Sequence, residues 1–309
     1  MTDIATYKLN HTMIPVSDPD ASLKFYQHLG MSILEEYKFP DYQLDLYFLA
    51  FDGPGSISHG KQMSDREGVL ELSHSYGIKP MYNEGPKSVA LSCISLSVDN
   101  LAAACNRLTD AGYKLIQEPD GNVAIALDPD EYWIKLIAQC SSTGRDTTLT
   151  NVQTYKLYNT MLHVQSTTRS LEFYTKICGM KLTKTAEHVN DGSTSYFLGY
   201  SAREPSSQRI TDPYAPVGAE GLLELIWLPG TEKQGKRVFH DGTTQAGGFG
   251  HICISVDDIA SACERLAQFD VSWKKRLLDG PFRVAFITDP DGYEVEIIQN
   301  EKYKPANHG

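Results

Sequence analysis

The stretch KLNHTMIPV at residues 8–16, followed by SLKFY at 22–26, recurs as KLYNTMLHV at 156–164 and SLEFY at 170–174. Both pieces repeat at the same offset, 156 − 8 = 148, and a repeat of this length indicates a duplicated domain. At 309 residues and 41% apolar content, the chain has room for two domains of roughly 150 residues, each with its own core. We predict domains at 1–140 and 155–309, joined by a polar linker at 141–154.

Each half divides again into two units with the same order of elements. In the first unit, residues 8–16 alternate as in a strand, 19–29 have helical spacing, and 44–50 and 69–72 are typical of strands. The order returns at 91–98, 101–111, 123–127 and 132–137, and twice more within 155–228 and 249–298. The sequence therefore predicts an α+β fold of four βαβββ modules. The Gly-, Pro- and Ser-rich stretches 53–68 and 203–221 are predicted to be surface loops.

Charge and composition narrow the classes of partner. A net charge of −11 disfavours nucleic acid and anionic membranes, because a phosphate-binding surface needs clustered Lys and Arg. No run approaches the ~18 apolar residues of a membrane span, and the first six residues lack the pattern of a secretion signal. Six cysteines form no CxxC pair, and Cys105 and Cys263 fall at matched helical positions, which favours buried thiols. We expect a cytoplasmic protein with a small-molecule partner.

Four polar residues stand in apolar strand contexts and combine donor types that suit a metal ion. They are His11, Glu71, His251 and Glu296. Strands present alternate residues to one face, so a polar residue at an inward position is a candidate functional group. Two imidazoles and two carboxylates can bind a divalent first-row ion and leave positions for substrate oxygens.

Comparison of the two copies predicts how these residues are shared between sites. In the same order, their counterparts are Asn159, Glu224, Cys93 and Lys135. If each half held its own site, the N-terminal site would place Lys135 against the cation. If each site instead takes two ligands from each half, one site is complete and the other has lost three ligands. We therefore predict a crossed arrangement with one metal ion per chain.

The residues around these positions resemble the glyoxalase I family of the vicinal oxygen chelate superfamily, in its two-domain fungal form. The matching stretches are NHTM at 10–13, LDLYFLA at 44–50, VLELSH at 69–74, GFGHI at 248–252 and DPDGYEVE at 289–296. The resemblance covers nearly the whole chain. It implies two tandem glyoxalase domains that form an internal pseudo-dimer within a monomer, with metal sites between the halves.

The resemblance also implies a reaction and residue roles. The hemithioacetal of glutathione and a 2-oxoaldehyde such as methylglyoxal would be isomerised to an S-2-hydroxyacyl-glutathione. Glu296 would be the general base, Glu71 would be the second carboxylate at the metal, and the ion would stabilise the enediolate as a Lewis acid. Zn or Ni is the expected metal, and Fe, Co and Mn also suit these ligands.

The sequence departs from the family where glutathione is anchored. The family places an Arg, an Asn and an Arg at positions that correspond here to Pro15, Ser75 and Gly247. Loss of a charged, buried partner typically costs about 2–5 kcal/mol. Candidate substitutes are Lys274, Lys275, Arg276 and Arg283, which are equally compatible with an ordinary solvated charge cluster.

Three functions remain open at this stage. The whole-chain resemblance favours a glyoxalase I-like lyase with a rearranged glutathione site. The missing anchors favour a glyoxalase-fold isomerase, epimerase, lyase or dioxygenase acting on a non-glutathione substrate. A non-catalytic binding protein is the third possibility, and four retained metal ligands argue against it.

Overall fold

The computed structural model describes residues 1–77, 93–139, 148–189, 191–200, 219–233 and 249–304. Within them the first half forms β1 (Lys8–Pro15), α1 (Pro19–His28), β2 (Ser32–Phe39), β3 (Leu44–Ala50), β4 (Val69–Ser75), β5 (Cys93–Val98), α2 (Leu101–Asp110), β6 (Leu115–Asp120), β7 (Val123–Leu127) and β8 (Trp133–Ala138). The second half forms β9 (Lys156–Val164), α3 (Thr167–Glu172), β10 (Lys181–Glu187), β11 (Thr194–Gly199), β12 (Leu222–Trp227), β13 (His251–Val256), α4 (Ile259–Leu266), β14 (Ser272–Lys275), β15 (Ala285–Thr288) and β16 (Glu294–Gln299). The prediction of four βαβββ modules is confirmed.

The four α-helices in the described part of the chain all begin in the same way. Each starts directly after a residue whose side chain accepts a hydrogen bond from a backbone N–H of the first turn, namely Asp18, Asn100, Ser166 and Asp258. Such a cap satisfies one of the N–H groups that a helix leaves unpaired, and is worth about 1 kcal/mol. The sequence thus specifies where each module turns from its first strand into its helix.

The strands form two eight-stranded sheets. Each sheet contains one module from the first half and one module from the second half. Sheet A has the order β14-β15-β16-β13-β1-β4-β3-β2, and sheet B has the order β10-β11-β12-β9-β5-β8-β7-β6. The halves join through two antiparallel pairs, β1 with β13 and β5 with β9. Thr12 and Thr160, which are equivalent in the repeat, contact each other through their hydroxyl groups. Contact between equivalent residues is typical of a two-fold interface, and confirms the internal pseudo-dimer.

The two modules of each half pack around a shared hydrophobic core. Most of one core comes from residues 14–138 and most of the other from residues 162–297. In each half, a buried hydrogen bond links the two modules. The Tyr26 hydroxyl donates to Asp128 over 2.8 Å in the first half, and the Tyr174 hydroxyl donates to Asp289 over 2.9 Å in the second. The cores therefore lie within the halves, whereas the sheets pass from one half to the other.

The sequence pattern does not locate β2 or β6, and the reason is their position. These strands and their counterparts β10 and β14 are the outermost strands of the two sheets. No residue of β2 or β6 is buried, so neither strand alternates between buried and exposed residues. The predicted loop 53–68 lacks strands and contains one short 3₁₀ turn, Met63–Asp65.

Parts of three predictions lie outside the described residues. They are positions 91–92 of the predicted strand 91–98, Cys140 with positions 141–147 of the linker, and positions 203–218 of the second predicted loop. Of the described helices, none has the length and apolar character needed to cross a membrane.

Candidate metal centre

The four central strands of sheet A each contribute one candidate ligand. His11 lies on β1, Glu71 on β4, His251 on β13 and Glu296 on β16. One donor atom from each residue lies within 4.8 Å of the donor atoms of the other three, and all four side chains are buried. β1 and β4 come from the first half, and β13 and β16 come from the second. The structure thus brings the four predicted residues together in the crossed arrangement.

The spacing of the donor atoms suits a common cation. His11 Nε2 lies 2.9 Å from Glu71 Oε2, 3.1 Å from Glu296 Oε2 and 3.4 Å from His251 Nε2. His251 Nε2 lies 3.3 Å from Glu296 Oε2. Ligands about 2.1 Å from a zinc-like ion stand about 3.0 Å apart at right angles and about 3.4 Å apart at tetrahedral angles. The four residues therefore fit a divalent ion in both donor type and spacing.

The protein alone holds this cluster together by charge. Burial acts to lower the pKa of His11, but the nearby Cys253 and the Glu71 and Glu296 carboxylates outweigh it and hold the pKa well above its ordinary value. Burial acts to raise the pKa of Glu296, but hydrogen bonds from both imidazoles, together with their charge, hold it far below the usual range. Without metal, the cluster is thus an imidazolium held between carboxylates.

Aromatic rings surround the imidazoles. Phe48 meets the His11 ring edge-on with centroids 5.5 Å apart, and Phe286 meets the His251 ring in the same way at 5.2 Å. Phe39, at the end of β2, contacts Phe282 in the loop between β14 and β15, with ring centroids 5.1 Å apart. Aromatic side chains from both halves of sheet A therefore lie beside the cluster, and the loop between β14 and β15 reaches Phe39 at the end of β2.

Two residues of the site were missed by the sequence argument. Cys253 follows His251 by two positions, is fully buried, and contacts His11; burial raises the pKa of its thiol to about 12. The period of two along a strand was the available signal for this residue. Asn10 accepts a hydrogen bond from His11 Nδ1 over 2.8 Å, and no periodicity points to it, because it directly precedes the ligand.

The residues of sheet B that correspond to the four metal ligands in the internal repeat form a different kind of cluster. Both carboxylate oxygens of Glu224 accept hydrogen bonds from neutral groups, one from Asn159 Nδ2 over 2.9 Å and one from the Ser195 hydroxyl over 2.6 Å. Burial and the Lys135 ammonium together lower the pKa of His163 to about 4. An ammonium in place of the fourth ligand opposes cation binding. Cys93 lies in β5, and its side chain is outside the described residues.

The predicted anchor positions lie at the ends of two ligand strands. Pro15 ends β1 and Ser75 ends β4, and both are partly exposed; Gly247 lies outside the described residues. Neither Pro15 nor Ser75 carries a charge. A substrate carboxylate at these strand ends would therefore lack the charged partner that the resemblance led us to look for.

The candidate replacement cations differ in availability. Lys275 donates to the carbonyl oxygens of Phe282 and Val284 over 2.7 and 2.6 Å. Lys274 is exposed and forms an ion pair with Glu294, two residues before Glu296 on β16. The Arg276 guanidinium lies 5.0 Å from the Trp273 ring centroid. Arg283 is exposed.

A duplicated βαβββ architecture with one His₂Glu₂ cluster across its halves defines a class of metal-site protein, and comparison with known proteins agrees. The family model for the Glyoxalase/Bleomycin resistance protein/Dioxygenase superfamily matches residues 8–136 and 156–297. The chain is 40% identical to a lactoylglutathione lyase of Schizosaccharomyces pombe, over 97% of this chain and 99% of that protein. It is 35% identical to a glyoxalase I of Saccharomyces cerevisiae, over 95% of this chain and 92% of that protein.

The chain belongs to this superfamily and, within it, to the two-domain lactoylglutathione lyase (glyoxalase I) family. The fold comparison agrees. A crystal structure of glyoxalase I from Zea mays superposes with a TM-score of 0.69 at 22% identity, over 96% of this chain and 94% of that one.

Proposed function

We propose that this protein is a metal-dependent lactoylglutathione lyase that isomerises a glutathione–2-oxoaldehyde hemithioacetal to an S-2-hydroxyacyl-glutathione. The observation that carries the proposal is the His₂Glu₂ cluster formed by the four central strands of sheet A. Two relatives that match this chain over almost their whole length, one named lactoylglutathione lyase and one named glyoxalase I, support the substrate. One active centre per chain follows, because the matched positions in sheet B include Lys135 and Asn159.

His11, Glu71, His251 and Glu296 would hold the ion. When bound, a divalent ion supplies Lewis acidity that stabilises negative charge developing on the two adjacent substrate oxygens. We assign Glu296 as the base that takes the carbon-bound proton and returns it to the neighbouring carbon. Its carboxylate is buried among the other three ligands, next to the position that the substrate oxygens would take at the ion.

Glutathione must be held differently here, because Pro15 and Ser75 offer no charge. We propose Lys274 and Arg276 as the cations that meet its carboxylates, since both are exposed and Lys274 pairs with Glu294, which lies on the same strand as Glu296. Lys275 was predicted for the same role. Its ammonium already donates to two backbone carbonyls, so we propose that it shapes the loop between β14 and β15.

The test uses the internal repeat as its control. Zinc- or nickel-loaded protein is mixed with methylglyoxal and glutathione, and thioester formation is followed by ultraviolet absorbance. Glu71→Gln should lose metal affinity and activity, whereas Glu224→Gln, the equivalent change in sheet B, should keep both. Equal losses in the two variants, or no thioester from a fully metallated wild type, would contradict the proposal.

A second candidate is a metalloenzyme of the same fold acting on a substrate without glutathione. Pro15 and Ser75 at the anchor positions are the observation in its favour. The named relatives give it no support. Turnover of the glutathione adduct by the metallated protein would exclude it as the main activity.

We further propose that the protein acts as a monomer in the cytosol and requires no second chain. Both halves of one chain supply the ligands of the single complete cluster. Among the described residues Cys105, Cys178, Cys253 and Cys263 are free thiols, as is typical of a reducing compartment. Light scattering of the purified protein would test the oligomeric state.

A further inference from the structure

Asn10 is fully buried beside the metal centre, and its side-chain amide is oriented by its contacts. The Nδ2 group donates to the carbonyl oxygens of Met63 and Arg66, over 2.8 and 3.0 Å. The reversed amide would place its own oxygen against those two carbonyls, so Nδ2 must face them. Asn10 Oδ1 is therefore the atom that lies 2.8 Å from His11 Nδ1, and it can only accept.

This contact determines which nitrogen of His11 faces the cluster. Because Asn10 Oδ1 accepts, Nδ1 must carry a hydrogen, and Nε2 remains for the ion. Nε2 is the nitrogen that lies 2.9 Å from Glu71 and 3.1 Å from Glu296. Metal-binding histidines are commonly oriented by an acceptor at their other ring nitrogen.

A local irregularity of β1 explains how adjacent residues can meet in this way. Leu9 pairs with Ile254 and Thr12 with Ile252, so Asn10 and His11 together oppose Cys253 alone. Such a bulge breaks the alternation that would send the two side chains to opposite faces of the sheet. It allows the amide of Asn10 to reach the imidazole of His11.

The carbonyls that orient Asn10 belong to a segment seated on the second half of the chain. The Ser255 hydroxyl donates to the Ser64 carbonyl over 2.6 Å, and Asn300 Nδ2 donates to Asp65 Oδ1 over 3.0 Å. The Glu301 N–H donates to the Ser64 hydroxyl over 2.9 Å. A ligand from the first half is thus oriented through a segment whose position depends on the second half.

The other copy of the repeat has lost both members of the pair. Tyr158 occupies the position of Asn10, and Asn159 occupies that of His11. The Tyr158 ring lies 6.0 Å from the Phe197 ring, in an apolar cluster. The orienting amide is therefore present in the copy that has the imidazole and absent from the copy that lacks it.

We propose that Asn10 is a positioning residue for the metal centre, which holds His11 Nε2 toward the ion and couples that ligand to the contact between the halves. This inference rests on the proposed metal site. It predicts that removal of the acceptor at residue 10 weakens metal binding, even where the four ligands are intact. Loss of an orienting partner of this kind typically lowers metal affinity roughly 10–100-fold.

Two substitutions at residue 10 distinguish the effect of the hydrogen bond that Asn10 accepts from His11 from the effect of the two that it donates to Met63 and Arg66. Asn10→Leu removes all three hydrogen bonds, whereas Asn10→Asp keeps an acceptor for His11 and loses both donors to Met63 and Arg66. The zinc dissociation constant is measured at pH 7.5 by competition with a chromophoric chelator. We expect Asn10→Leu to bind roughly 10–100-fold more weakly than wild type. We expect Asn10→Asp to bind at least as tightly as wild type, to within a few-fold.

A purely structural role would give a different pattern, since both variants lose the same bonds to the loop. Similar losses of zinc affinity in the two variants, or an Asn10→Leu affinity within about threefold of wild type, would therefore overturn the proposal. NMR of zinc-loaded protein with ¹⁵N-labelled histidine gives a second readout. The His11 Nδ1–H proton should be protected from exchange in wild type and Asn10→Asp, and should exchange rapidly in Asn10→Leu.

Asn100→Ala is the matched control, because Asn100 is also buried and donates to a backbone carbonyl, that of Leu149, far from the cluster in sequence. It should lower the urea midpoint without changing zinc affinity. Zinc affinity is measured without substrate. A wild type without lyase activity would therefore contradict the proposed function, while this inference would still be decided by the affinities.

Discussion

Replacement of Glu296 by glutamine tests its proposed role as general base separately from its role as a metal ligand. Glu296 Oε2 lies within 3.3 Å of both imidazole Nε2 atoms, and its side chain is only 11% exposed. Glutamine has nearly the same size and keeps one oxygen as a donor. It cannot accept a proton as a base.

The expected loss in turnover follows from that difference. A positioned general base is worth roughly 10²–10⁴-fold in rate. At about 1.4 kcal/mol per tenfold, this corresponds to roughly 3–6 kcal/mol of transition-state free energy. We expect kcat to fall by this amount, while metal binding is weakened but detectable, because two imidazoles and Glu71 remain.

The assay measures thioester formation at saturating substrate, together with the metal content of each sample. Glu224→Gln serves as the buried-carboxylate control and should retain wild-type kcat, since Glu224 lies in sheet B beside Asn159. A metallated Glu296→Gln protein with kcat within a few-fold of wild type would refute the assignment. Glu71 would then be the remaining carboxylate for the role of base.

The other predictions concern metal, pH and substrate. Elemental analysis should give one divalent ion per chain; His251→Ala should lose it and Asn159→Ala should not, and two equivalents in wild type would contradict the crossed site. The His11 pKa is raised from 6.5, so without metal its contribution to stability is full below pH 6.5 and lost as pH rises through the higher folded value. The Glu296 pKa is lowered from 4.5, so its contribution is present above pH 4.5 and lost as pH falls through the lower folded value. Urea midpoints of metal-free wild type should fall toward both extremes, and a flat alkaline side would contradict the first of these shifts. Because Pro15 replaces a charged anchor, the hemithioacetal should show a high KM and weak competition by S-hexylglutathione; a micromolar KM with tight inhibition would show an ordinary glutathione site.

Fold and candidate ligands were accessible from the sequence because both depend on local periodicity. Buried strands such as β3 and β4 alternate or run apolar, so Glu71 stood out between Leu70 and Leu72. The internal repeat then acted as a comparison sequence. Lys135 at the position matched to Glu296 was enough to predict that the sites are crossed, since an ammonium opposes a bound cation.

Other features depended on the tertiary structure. The edge strands β2, β6, β10 and β14 lack a buried face along much of their length, so hydrogen bonding to a neighbouring strand defines them and their own pattern does not. The role of Lys275 was also beyond the sequence. Its ammonium meets two backbone carbonyls of the following loop, and a sequence pattern reports no such contact.

The sequence by itself determined the duplication, the four modules and the four residues that the structure brings into one cluster. Only the tertiary structure decided how that cluster is oriented. The amide of Asn10 is held by carbonyls of Met63 and Arg66, more than 50 positions away, and their segment is held in turn by Asn300. Contacts of this range arise from how the two halves pack. Periodicity describes which face a residue takes along its own strand, and it carries no information about the partner that meets it from another element.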